Sequence, residues 1–209
     1  MKDEEIAEKV NNFFANPQLT STYKLVLFKA ILNWCQEKEA SDTQLLSLDS
    51  IAEYFIRTYT HYYQNKELHH LTNKQKRIEF FNLLEESKIK DNQDISDSTI
   101  DLLKDDAKKI ILQDVIYRFR NNCCIYDYIQ YKNNTIEKIV VSNNVTEKEF
   151  NRIRKKITFL IFDSDTILWI RNNFVLINNA LSYLLYNFLF NVNKEQSINY
   201  ELILKFYNL

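Results

Sequence analysis

Glycine is absent from all 209 residues, and Pro17 is the only proline. A chain without glycine has no P-loop, no glycine-rich dinucleotide turn and no nucleophile elbow, because each needs a backbone with no Cβ beside the ligand or nucleophile. Cysteine is scarce. Cys35, Cys123 and Cys124 make an odd count with one vicinal pair, which is neither a disulfide framework nor a C-x-x-C zinc knuckle. Excess charge is lacking as well, since 27 lysines and arginines face 28 acids for a net charge of −1, and a uniformly basic coat is excluded. The charged start from Met1 to Val10 is unlike a signal peptide. The most apolar window, Phe174 to Val192, is broken by Asn178, Asn179, Ser182, Asn187 and Asn191, a poor membrane span. The expectation is a cytoplasmic protein with no membrane partner, in which the sequons at Asn133 and Asn144 arise by chance.

Aromatic and aliphatic residues are plentiful. At 45% hydrophobic and 26% charged residues the chain can bury a core without metal or disulfides. Helical periodicity dominates. Asp3 to Phe14 reads as a helix that stops before Asn16-Pro17, since the residue before proline avoids the helical region. Thr20, Ser21 and Thr22 offer caps for a helix to about Lys38, with Tyr23, Leu27, Ala30, Ile31 and Trp34 on one face. Ser47 caps another, where Ile51, Phe55, Tyr59 and Tyr62 recur. Thr72 with Gln75 forms a capping box ahead of Ile78, Phe81 and Leu84. After an acidic stretch, Asp91 to Asp106, helix resumes through Ile110, Ile111, Val115 and Phe119.

The period then changes. Ile125 to Tyr131 and Ile136 to Val141 are β-rich and joined by Lys132-Asn133-Asn134-Thr135, in which asparagine supplies the positive φ that glycine would. Thr146 with Glu149 forms a second capping box for a helix running through Ile161. Asp163-Ser164-Asp165 marks a break, and helix is expected from about Thr166 to Asn191, with a short segment at Ile198 to Tyr207. The predicted fold is a single, mainly α domain with one small antiparallel β-hairpin near residues 124–142.

The net charge hides local asymmetry. Residues 91–116 carry three cations and seven acids, whereas residues 117–171 carry ten and six. On the helix expected from Thr146, Phe150, Ile153, Ile157, Leu160 and Ile161 share one arc, and Lys148, Arg152, Lys155 and Lys156 share the opposite one. Four cations with no acid interleaved on that arc suit a phosphate backbone, and a solvated helix face is the plainer alternative. Arg118 and Arg120, with Tyr131 and Lys132, would extend this surface if folded nearby. Lys74, Lys76 and Arg77 form a weaker cluster.

No catalytic, metal or cofactor site is expected. Arg57 and His61 share a helix face, a pairing similar to that of HEPN-type RNases, but they stand closer than that family places them, so a structural pair is favoured. His69-His70 lacks further ligands at metal spacing. Glu86-Ser87-Lys88 matches half of a magnesium nuclease motif, without the strand or second acid that chemistry needs. Cys123-Cys124 has no histidine partner nearby and is read as packing.

Two stretches, taken together, suggest a family. The first is Asn16-Pro17-Gln18-Leu19-Thr20-Ser21-Thr22-Tyr23-Lys24, followed by Leu48-Asp49-Ser50-Ile51-Ala52-Glu53-Tyr54-Phe55. The second is Thr166-Ile167-Leu168-Trp169-Ile170, then Tyr186-Asn187-Phe188-Leu189-Phe190-Asn191-Val192-Asn193. In this order they resemble the N-terminal region of bacterial HNH endonucleases of the restriction type. The resemblance implies a DNA-recognition or scaffolding region ahead of a metal-dependent nuclease module. The module's own histidines and paired C-x-x-C ligands have no counterpart here. The expected function is therefore binding of double-stranded DNA in a restriction or phage-defence nuclease, without catalysis, alongside a nuclease module or partner subunit. The rival expectation is a protein-interaction subunit of a defence or toxin system.

Overall fold

The computed structural model describes residues 3–38, 44–64, 68–73, 77–87, 95–142 and 144–194. The fold is mainly α, with a small antiparallel sheet. Helix α1 (Asp3–Ala15) ends before Pro17 as expected. At the centre lies α2 (Tyr23–Glu37), where ten of fifteen residues are buried, so it is apolar almost all round. Around it pack α3 (Leu48–Gln64), α6 (Ile116–Cys123), α8 (Ser164–Asn172) and α9 (Phe174–Asn193). Helix α4 (Glu79–Glu86) and α5 (Asp97–Ile110) cover α3, and α5 passes into α6 through a π-helical turn, Ile111–Val115.

Local signals explain several boundaries. Ser47 Oγ accepts from Ser50 N at 3.0 Å, capping α3, and Thr146 with Glu149 makes the full reciprocal capping box. The cap of α2 differs from expectation. Thr22 stands at the N-cap, but its hydroxyl bonds the Tyr59 hydroxyl at 2.8 Å inside the core instead of the helix backbone. Gln75 of the first expected box, and the segment expected at 198–207, lie outside the described residues.

The hairpin is present as β2 (Asp127–Lys132) and β3 (Thr135–Ile139), with Lys132 opposite Thr135 across a two-residue loop. Asn133 and Asn134 adopt φ of 50° and 61°, the two positive values that such a loop demands. Gln18 and Cys124 also carry positive φ; Cys124 is the left-handed residue that ends α6, a position usually held by glycine.

Two further strands correct the single-hairpin expectation. β1 (Leu45–Ser47) and β4 (Phe159–Ile161) give a sheet ordered β1-β4-β2-β3, antiparallel throughout. Leu46, Leu160, Tyr128 and Ile139 stand in one row across it, and the first three are buried. The expected helix from Thr146 to Ile161 accordingly stops early: α7 covers Glu147–Ile153, and a 3-10 turn follows at Arg154–Lys156. A longer helix would stack Lys148, Arg152 and Lys156 at i,i+4 spacing, where like charges repel. Thr158 instead donates its backbone N–H to Ile129 O at 2.8 Å and enters the sheet. The expected helix from Thr166 to Asn191 is likewise two helices, parted at Asn173.

His70 lies deep in an aromatic cluster, stacked on Tyr62 at 4.9 Å and edge-on to Phe81, with Tyr59 and the Thr22 hydroxyl on other sides. Burial, with a smaller push from His69, lowers its pKa from 6.5 to about 3. The unfolded chain therefore binds a proton there between those values while the native chain does not. Stability from this group is complete above pH 6.5 and falls as the pH drops toward 3, by up to about 1.4 kcal/mol per pH unit. Urea titrations across that window should show this slope, and His70→Phe should flatten it; a slope unchanged by the substitution would contradict the account.

The thiols are free. Burial pushes the Cys35 thiol up to about 12 and raises that of Cys123 further. A thiol reagent should therefore count three groups in denaturant and modify Cys124, which is partly exposed, fastest in the native protein. A count of one in denaturant would mean a vicinal disulfide.

Candidate nucleic-acid interface

The four cations expected on one helix face are distributed over two elements. Lys148 and Arg152 lie on α7, and Lys155 and Lys156 on the 3-10 turn, which packs on β2. All four are exposed. Phe150 alone of the expected apolar arc anchors α7 as a fully buried side chain, stacked on Tyr117 at 5.0 Å; Ile157 and Leu160 reach the core from beyond the helix. Arg154, which the helical arc had left out, opens the 3-10 turn and is partly exposed. Among the described residues, no ion pair holds Lys148, Arg152, Arg154, Lys155 or Lys156.

The cations of two other helices are compensated. On α3 and α5, Arg57 pairs with Glu53 and Asp97, Lys104 with Glu53 and Asp101, Lys108 with Asp49 and Asp105, and Lys109 with Asp106. These bonds raise the pKa values of Arg57, Lys104, Lys108 and Lys109 above the ordinary range. The partners of Arg57 are thus acids of α3 and α5, and no hydrogen bond joins it to His61 among the described residues. The acidic excess of α5 thus serves the lysines within it.

Arg120 is a correction. It is 2% exposed and cannot reach a phosphate; Nε donates to Tyr126 O at 3.1 Å, Nη1 to Ser142 O at 2.9 Å and Nη2 to Asp127 Oδ1 at 3.0 Å. Arg118 is half-exposed but pairs with Asp114 at 2.6 Å and bonds the Tyr117 hydroxyl. Arg77 pairs with Glu85 and lies over the rings of Tyr63 and Phe81. Arg77 and Arg118 meet across a cleft of about 460 Å³, lined also by Tyr23, Glu79, Gln113 and Glu147. The π-helical turn directs Gln113 and Asp114 into that cleft, which its acids make neutral to negative. Lys74 and Lys76 lie outside the described residues. Glu86 is the last residue of α4, on no strand. No group of three or more histidines, cysteines and acids among the described residues could hold a metal.

The stretches that carry the resemblance are structural here. Lys24 is 9% exposed and its ammonium donates to Pro17 O, Gln18 O and Asn122 Oδ1 (2.7 Å), closing the turn before α2. Burial and the neighbouring Arg118 bring its pKa down to about 8, so it stays charged at neutral pH. Leu48, Ile51, Ala52 and Phe55 are buried on α3. Asn193, fully buried, accepts from His69 N at 2.6 Å and donates to His69 O at 3.0 Å, tying the end of α9 to the loop before α4. Comparison with family models, curated proteins and solved structures finds no match for the chain.

Proposed function

We propose that this chain binds double-stranded DNA through its phosphate backbone at the corner formed by α7 and the following 3-10 turn, and performs no catalysis itself. One observation carries the reading: Lys148, Arg152, Arg154, Lys155 and Lys156 have no ion-pair partner among the described residues, while every cation of α3 and α5 has one. Exposed cations without ion pairs attract a polyanion and release its counterions, a sequence-independent mode of binding. Lys132, exposed at the end of β2, extends the same corner. The setting of a restriction or phage-defence nuclease, with the nuclease module on a partner or elsewhere, rests on the resemblance of the quoted stretches. A cytoplasmic location goes with it.

Fluorescence anisotropy with unrelated duplexes tests the reading. Binding should be tight at low salt, indifferent to sequence, and weaken linearly on a log–log plot as salt rises. Changing the paired Lys104, Lys108 and Lys109 together to glutamine should leave that line unmoved. Absence of binding at low salt would turn the argument to the second reading, a subunit for protein interaction, which the exposed side chains of α9 favour.

A further inference from the structure

Helix α9 contains neither acid nor base in its twenty residues, and its outward side is apolar. Two seams run along it. The inner one, Ile177, Leu181, Leu184, Phe188 and Val192, packs toward α2 and α8. The outer one is Leu176, Asn179, Tyr183, Tyr186 and Phe190. At 100° per residue the two lie about 180° apart. Leu176, Tyr183 and Phe190 are 69%, 64% and 50% exposed, Val175 beside them is 69% exposed, and Leu168 on α8 is 57% exposed. A surface helix normally turns charge to water on this side.

We infer that this outer seam is the contact between two copies of the chain, packed antiparallel across a two-fold axis at Tyr183. The 3-4 spacing of the seam is that of knobs-into-holes pairing. Tyr183 stands seven residues from both Leu176 and Phe190. An antiparallel pair centred on it therefore sets Leu176 of each copy against Phe190 of the other, brings the two Tyr183 rings together, and places each Asn179 amide near a Tyr186 hydroxyl. The absence of charge means that self-pairing meets no like-charge repulsion, and that a charged partner would find nothing complementary. The exposed apolar side chains present on the order of 600 Å², at the upper limit of patches that monomers leave in water. With Asn179 and Tyr186 added, the area approaches the roughly 800 Å² per partner of a standard interface.

Lipid fits less well. By length and composition α9 could cross a membrane, with a mean hydropathy of 1.2, but its inner seam belongs to the core and Asn178 bonds Lys29. A helix lying in the membrane surface carries lysine and arginine on its polar face, and the twenty residues of α9 include none.

Sedimentation and light scattering of the full chain test the inference. The expected mass at ~100 μM is twice 25.2 kDa, a concentration well above the Kd of an interface of this size. Tyr183→Glu sets two carboxylates on the axis and should raise the dimer Kd at least about 100-fold while leaving the circular dichroism spectrum unchanged. Tyr183→Cys is the second arm, and should form an intersubunit disulfide under mild oxidation, with Leu168→Cys as the negative control. A monomeric parent overturns the inference, as does a dimer that survives Tyr183→Glu and is not trapped by Tyr183→Cys. A monomer retained on phospholipid vesicles would assign the seam to lipid, and a monomer with the seam protected from exchange would assign it to residues 195–209; both outcomes reject the dimer.

Discussion

Arg120→Ala should destabilise the protein by about 3 kcal/mol. Removing one member of a buried ion pair typically costs about 3–5 kcal/mol, because the other charge stays behind. Asp127 is one-third exposed and keeps Lys138 at 2.6 Å, which places the loss at the lower end. Burial pushes the Asp127 carboxyl up, but the hydrogen bonds from Lys138 and Arg120 outweigh it and hold its pKa below the usual range. The carbonyls of Tyr126 and Ser142 would also lose their donor. For a chain of this length 1 kcal/mol corresponds to about 2–4 °C in Tm, so the melt should fall by about 6–12 °C. Arg120→Lys should recover only part, since the donors of an ammonium radiate from one nitrogen and cannot reach the well-separated acceptors that Nε, Nη1 and Nη2 each serve. A change within about 0.5 kcal/mol for Arg120→Ala would mean that the guanidinium is solvated, and would return it to the candidate phosphate contacts.

Arg120 also illustrates where sequence reasoning stops. A basic residue two positions from Arg118, in a segment rich in cations, looks like part of a surface. Its acceptors come from residues 126, 127 and 142, which only the hairpin brings back over α6. The hairpin itself was legible because its turn chemistry is local: two asparagines between β-rich runs in a chain that has no glycine. The capping box at Thr146 was legible for the same reason, and so was α3, with a strong apolar period behind a serine cap. β1 and β4 were not. Three residues hold less than two periods of alternation, and Phe159-Leu160-Ile161 continues the apolar spacing of the helix before it, so only its long-range pairing with β1 and β2 identifies it as strand. The resembled stretches were read for their order, and their physical content is internal: Lys24 and Asn193 close turns and loops through backbone carbonyls and amides.

Four of the five cations without an ion pair at the α7 corner lead to the second large effect. Each true phosphate contact steepens the salt dependence of duplex binding by nearly one unit of log–log slope. If Lys148, Arg152, Lys155 and Lys156 all reach phosphate, changing them together to glutamine should flatten the slope by about 3–4 units. The fold should be unaffected, because all four are exposed and anchor nothing in the core, and such substitutions shift stability by no more than about 0.5 kcal/mol each. Glutamine also relieves the i,i+4 repulsion between Lys148 and Arg152.

The most direct measurement is therefore the slope of log K against log salt for parent and quadruple variant, taken on one duplex with the Tm of both proteins recorded alongside. The account predicts a parent slope steeper by about 3–4 units at equal Tm. Equal slopes at equal Tm would contradict it, and would leave the corner as a solvated surface.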